Sequence, residues 1–163
     1  MRKTPGSDPD TLPHDYRLDA PTLHRLVQTT LREQLNLDQD ILHAPLNRAI
    51  TLEEQGQWRS ALEVYAQVGL LDPALLAVQL GIARCATRLG EHAIALQAAA
   101  AAILLAPKDP RGYLLSGENC MHLGYIREAR KDLEQAIRLS AKDAVLVAEA
   151  IRLLSQLGND ISS

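Results

Sequence analysis

The sequence predicts an all-α protein, a right-handed α-solenoid of three helical hairpins. Two observations carry that prediction. The first is an internal period: Gly56, Gly90 and Gly124 stand 34 residues apart (90 − 56 and 124 − 90). Near-copies of one segment follow them, GQWRSALEVYAQVGLLDP, GEHAIALQAAAAAILLAP and GYIREARKDLEQAIRLSA. Ala61, Ala95 and Ala129 lie five residues after the glycines, and Leu71, Leu105 and Leu139 fifteen after. Pro73 and Pro107 come seventeen after, with Ala141 in the third copy. The second observation is composition: alanine and leucine dominate and aromatics are only 3%, which suits an all-helical chain. A period of 34 is the signature of the tetratricopeptide repeat, a helix–turn–helix unit of which about three make a stable stack.

Each position of the period has a mechanical role. The glycine falls just past a first helix, where a left-handed residue closes the cap without a Cβ penalty. The alanine sits where two antiparallel helices cross, and its small side chain lets their backbones approach. The leucine seals the end of the second helix against the next repeat. Pro73 and Pro107 stop that helix and start the next.

In chain order, residues 1–20 are expected to form a disordered tail, because Pro5, Gly6, Pro9 and Pro13 resist packing and few apolar residues accompany them. Residues 21–37 change character. Leu23, Leu26, Val27 and Leu31 recur at helical spacing, one stripe of an amphipathic helix outside the 34-residue register. This N-terminal helix either caps the stack or supplies an oligomer contact. Residues 38–163 form the repeat domain, with repeats at about 42–75, 76–109 and 110–143. Asp38 or Asp40 is a candidate N-cap for the first helix, which runs to about Gln55. A C-terminal capping helix spans 143–157, with Asp143 as its cap and Val147, Ala150, Ile151, Leu154 and Leu157 on its inner side.

In such a stack the first helix of each repeat lines the concave side. Registering the copies on their glycines superposes Leu46, Leu80 and Leu114, then the small residues Ala49, Ala83 and Gly117. Next come Ile50, Arg84 and Glu118, followed by Glu53, Thr87 and Met121. The predicted groove therefore has an apolar floor of Leu46, Ile50, Leu80, Leu114 and Met121, with Asn47, Arg84, Thr87 and Glu118 as its polar groups. That surface suits an extended or partly helical peptide with small apolar anchors. The competing reading is that some of these leucines pack between helices.

Other chemistry finds little support. The net charge of −3 and pI of about 5.9 argue against nucleic acid or an anionic membrane as partner. Cys85 and Cys120 make no disulfide framework and read as small core residues. His14, His24, His43, His92 and His122 show no metal-ligand spacing, so no metal or cofactor is expected. No catalytic grouping and no phosphate-binding loop occur, and no enzyme is expected. Trp58 is read as filling the core of repeat one. The start MRKTPGSDPD lacks a following apolar run, and Ala98–Pro107 is too short to span a bilayer. A cytoplasmic protein without stable membrane insertion is the expectation.

ARCATRLGEHAIAL (Ala83–Leu96) and SGENCMHLGYIREAR (Ser116–Arg130) resemble repeats two and three of the translocator chaperones of bacterial type III secretion, the SycD/LcrH family. The resemblance covers roughly Leu46–Leu157. It implies a cytoplasmic bacterial chaperone without catalytic activity, one that shields hydrophobic translocator proteins by gripping a short segment in its concave groove. The groove role falls on Leu46, Asn47, Ile50, Leu80, Arg84, Thr87, Leu114, Glu118 and Met121. It also implies a homodimer contact through Leu23, Leu26, Val27 and Leu31. The family groove usually carries Tyr or Phe, whereas this floor is aliphatic. Two alternatives stand beside this reading: a chaperone of a secretion needle or filament subunit, and a general repeat scaffold for protein interaction.

The crossing alanines give the first prediction. Ala95→Leu should overpack the hairpin of repeat two and cost roughly 1–3 kcal/mol. Thermal melting checks it, and an unchanged melting temperature would remove Ala95 from the crossing.

Overall fold

Three turns share one hydrogen-bond pattern, and the rest of the architecture is laid out by them. The structure, a computed structural model, describes residues 30–140 and 143–159. Among the described residues there are eight α-helices and no strand. They are α1 (Leu31–Gln34), α2 (His43–Glu54), α3 (Trp58–Leu71), α4 (Leu76–Arg88), α5 (His92–Leu105), α6 (Pro110–His122), α7 (Ile126–Leu139) and α8 (Ala144–Asn159), with a 3-10 turn (Gln39–Leu42) before α2. Gly56, Gly90 and Gly124 have φ of 72°, 74° and 79°. After α4, the Gly90 N–H donates to the Thr87 carbonyl at 3.1 Å and the Glu91 N–H to the Ala86 carbonyl at 2.8 Å. The same two bonds close α2 and α6. This pair is the Schellman motif, and it needs a residue that tolerates positive φ.

Successive helices pack as antiparallel hairpins, and the first helices also touch one another, α2 with α4, α4 with α6 and α6 with α8. The crossings are built on small residues. Ala49, Ala61, Ala83, Ala95 and Ala129 are fully buried. An added Cβ on Gly117 would lie 2.7 Å from Leu133 and 3.2 Å from the Ala129 carbonyl oxygen. On Gly81 it would fall on the ring of Tyr65, itself fully buried. α5 carries no charged residue and buries Ala98, Ala99 and Ala102 against Leu80, Ala83 and Leu115.

Four expectations need correction. First, the helix expected over 21–37 is, from Thr30 onward, only the short α1, Leu31–Gln34. Thr30 is extended (φ −69°, ψ 156°) and closes a capping box with Glu33, so a helix begins at Leu31. Leu31 is 42% exposed, and Leu23, Leu26 and Val27 lie outside the described residues. α1 is held to repeat one by Arg32, whose Nε donates to the buried Asp72 carboxylate at 3.2 Å. Second, Leu105 is 41% exposed and does not seal the end of α5. Third, α4 and α6 begin beyond the prolines, at Leu76 and Pro110, because Pro73 and Pro107 lie in the intervening turns. Fourth, α8 buries Leu146, Ala150, Leu153 and Leu157, while Ile151 is 54% exposed. The buried set is spaced four, three and four, a complete stripe that was hidden in the sequence by the aliphatic residues beside it. α8 also stands in register, since Gly158 lies 34 residues after Gly124 (158 − 124). It packs as a fourth first helix.

Gly81→Ala should lower the urea midpoint by an amount equivalent to about 1–3 kcal/mol, because the methyl and the Tyr65 ring cannot share one space. In a Tyr65→Leu background the same change should cost less. Equal costs in the two backgrounds would exclude the ring as the cause.

Candidate functional site

With the first helices side by side, their inner faces and α8 enclose an open trough of about 880 Å³. Arg84, Thr87, Leu114 and Glu118, predicted from the register, line it. Met121 lines a second hollow of about 490 Å³, which shares Glu118 and Arg152 with the trough. Ile50 lines a third, of about 400 Å³, beside Glu53, Trp58 and Arg84. The other three predicted residues line none of these hollows. Leu80 is 1% exposed and sinks against the alanines of α5. Leu46 is half-buried between α2 and its neighbours. Asn47 is exposed, and its carbonyl accepts from the Thr51 hydroxyl at 3.0 Å.

The sequence reading missed Trp58, Arg88, Leu115 and all of α8 as trough residues. Ala144, Val145 and Ala148 form the apolar part of the α8 wall, with Glu149 and Arg152 beside them. Trp58 packs on the core of repeat one and also reaches the trough, where the Arg88 guanidinium lies 5.7 Å from its ring centroid. The Gly158 register was the available signal, because it places α8 where a concave-face helix belongs.

The trough is therefore mixed: three arginines and three glutamates surround its apolar patches. Most are already joined. Glu53 on α2 accepts from Arg84 Nε at 2.5 Å and Nη2 at 2.8 Å, and from the Tyr65 hydroxyl at 2.8 Å. Burial alone would raise the Glu53 carboxyl, but the bonds from Arg84 and Tyr65 outweigh it and hold its pKa below the usual value. Burial and donation to that carboxylate push the Tyr65 phenol well up. On α8, Arg152 grips Glu149 through Nε at 2.9 Å and Nη2 at 2.6 Å. Behind the wall, the fully buried Asn119 donates to Thr87 Oγ1 and to the Leu115 carbonyl, each at 2.8 Å. With both amide protons used, its oxygen accepts from His92 Nδ1 at 2.9 Å. This ties α6 to α4 and α5 and fixes the trough wall.

Neither cysteine is poised for chemistry. Cys85 is fully buried, and burial with the nearby Glu53 charge pushes its thiol up to about 11. Cys120 is raised by burial too. Among the described residues no group of three His, Cys, Asp or Glu is placed to hold a metal ion, and no helix is long and apolar enough to cross a membrane. His14 and His24 lie outside the described residues.

Solved structures with this arrangement exist. A type III secretion complex from Aeromonas hydrophila aligns with a TM-score of 0.73 at 21% identity, covering 85% of this chain and 93% of the other. The fold is that of a tetratricopeptide-repeat solenoid. The Yersinia enterocolitica type III secretion chaperone SycD, in complex with a peptide of the translocator YopD, aligns with a TM-score of 0.67 at 22% identity over 75% of this chain and 93% of that one. The first repeat domain of Spaghetti (RPAP3), bound to the HSP90 peptide SRMEEVD, aligns with a TM-score of 0.69 at 21% identity over 77% and 97%. No protein-family model matches the chain, and no curated protein does. At these identities the likeness establishes the shared fold.

The Glu53 network gives a prediction with a defined sign. The folded carboxyl binds its proton less readily than the unfolded one. The network therefore stabilises the fold above the ordinary glutamate range, and the contribution is lost as pH falls through the depressed folded value. Glu53→Gln should melt below the parent protein at neutral pH, and the gap should narrow on acidification. A gap that stays constant down to acid unfolding would show that the Glu53 charge is not what stabilises.

Proposed function

We propose that the chain is a type III secretion chaperone of the translocator class, which binds an apolar segment of its client in the trough and keeps it from aggregating or inserting early. The observation that carries this reading is the trough itself. It is open, it is about 880 Å³ in volume, and apolar groups from α6 and α8 face it while most of its charges are paired within the protein. Such a surface offers contact to an apolar segment without presenting a strong field of either sign. The secretion complexes of the same fold support the reading, SycD being solved with a translocator peptide. The role is holding in the cytoplasm, with no chemical step, and a homodimer through Leu23, Leu26, Val27 and Leu31 belongs to the same proposal. Thr87, Leu114 and Glu118 carry the groove contacts, with Arg84 offering its alkyl stem while its guanidinium stays on Glu53, joined by Trp58, Leu115, Val145 and Ala148.

The RPAP3 domain with its HSP90 peptide favours a second reading, a scaffold that reads an acidic C-terminus. That task needs cations converging on carboxylates. Here Arg84 is committed to Glu53, Arg152 to Glu149, and Arg88 lies over Trp58. The secretion reading is therefore preferred.

Co-expression tests it. A hydrophobic translocator from the protein's own cell should stay soluble with the parent chain. Recovery of the complex should fall at least about tenfold with Val145→Asp plus Ala148→Asp, a loss of roughly 1.4 kcal/mol or more. Both positions are exposed, so the melting temperature should hardly move. Undiminished recovery would sink the groove assignment.

A further inference from the structure

The charges of the trough balance in number but not in commitment. Of its three carboxylates, Glu53 holds Arg84 and the Tyr65 hydroxyl, and Glu149 holds Arg152. Each cation of the trough likewise has a partner, Arg88 resting on the Trp58 ring. Glu118 differs. It is half-buried on α6, and among the described residues nothing donates a hydrogen bond or forms an ion pair to it. It stands where the trough meets the second hollow and lines both. Arg152 lines the same two hollows and feels the Glu118 charge through space, but its Nε and Nη2 are bound to Glu149. His122, across the second hollow, stacks on His92 with ring centroids 4.1 Å apart.

We infer that Glu118 is the charge-reading residue of the groove and that the bound segment is apolar with one basic side chain, Lys or Arg, placed on Glu118 between two apolar anchors. This deepens the reading of the trough as a client groove and rests on it. Leu114, Leu115 and Val145 on one side and Met121 and Ile126 on the other supply apolar contact to either flank of that basic residue. A half-buried carboxylate without a hydrogen-bonded partner loses hydration when a segment covers it, and a charge-assisted bond from the client replaces what is lost. A neutral residue there leaves the carboxylate uncompensated, and an acidic one adds repulsion. An acidic terminus of the SRMEEVD kind is disfavoured on the same ground.

The test uses the full chain and a display library of random 12-residue peptides. Peptides selected by the parent protein should align on apolar residues flanking one Lys or Arg. Replacing that basic residue by Glu in the best peptide should weaken binding about tenfold or more by fluorescence anisotropy. Glu118→Gln should level the difference, and Glu118→Lys should select an acidic residue instead. Melting curves should show all three proteins equally folded, since Glu118 makes no hydrogen bond or ion pair among the described residues and its through-space coupling is to the exposed Arg152. Apolar peptides selected with no charge preference, or a preference unchanged in Glu118→Lys, would overturn this inference and leave the client-groove reading standing. A library from which nothing is enriched would overturn both.

Discussion

The structure depends on how closely two helices of a hairpin can approach. At each crossing the approach is set by residues with little or no side chain, Ala49 and Ala61, Ala83 and Ala95, Gly117 and Ala129, and none of the alanines retains exposed surface. Close approach brings the large residues beside the crossing into contact with backbone. Tyr65 lies against Gly81 and Leu133 against Gly117, so the ring and the branched side chain fill space that a methyl would otherwise take. Packing of this density does not deform gradually, and a fixed crossing is repeated along the stack as a fixed offset between repeats. The position of the trough follows from that offset.

The hairpin geometry was legible in the sequence because its constraints are local. A residue of positive φ after each first helix calls for glycine, and a close crossing calls for alanine or glycine, so both recur at the period. The groove was less legible because a register position specifies direction but not depth. Leu46, Leu80 and Leu114 share one slot, yet Leu80 is sealed while Leu114 lines the trough. The difference lies in the facing helix. α5 offers Ala98, Ala99 and Ala102, and the room they leave is filled by Leu80. The start of α1 was hidden for a related reason: apolar spacing continues past Thr30, but the hydroxyl of Thr30 and the carboxylate of Glu33 close a cap there. A pattern of side-chain character does not report where the backbone changes direction.

Polar groups hold the repeats at their angle. Asn119 is buried with every hydrogen-bonding atom used, reaching Thr87 on α4 and His92 at the start of α5. Glu53 does the same between repeats one and two, joining Arg84 on α4 and Tyr65 on α3. A buried polar group costs several kcal/mol when unsatisfied, so each network permits few relative placements of its helices. Aliphatic contact between helices is less particular about sliding. The apolar crossings thus set the distance between helices, and Asn119 and Glu53 set which residues stand opposite one another.

That division of labour explains why a trough lined by three arginines and three glutamates can still favour an apolar client. Charges already joined within the protein contribute little net field, and their alkyl stems add apolar surface. Arg84 and Glu53 cannot be drawn to a ligand without breaking bonds that hold α2 to α4, and releasing them would loosen the wall the ligand needs. The recognition left to the trough is its apolar floor and whichever charge the fold has not used. Because the inter-repeat networks consume the polar groups around them, the specificity of the groove is decided by what the folding of its walls leaves over.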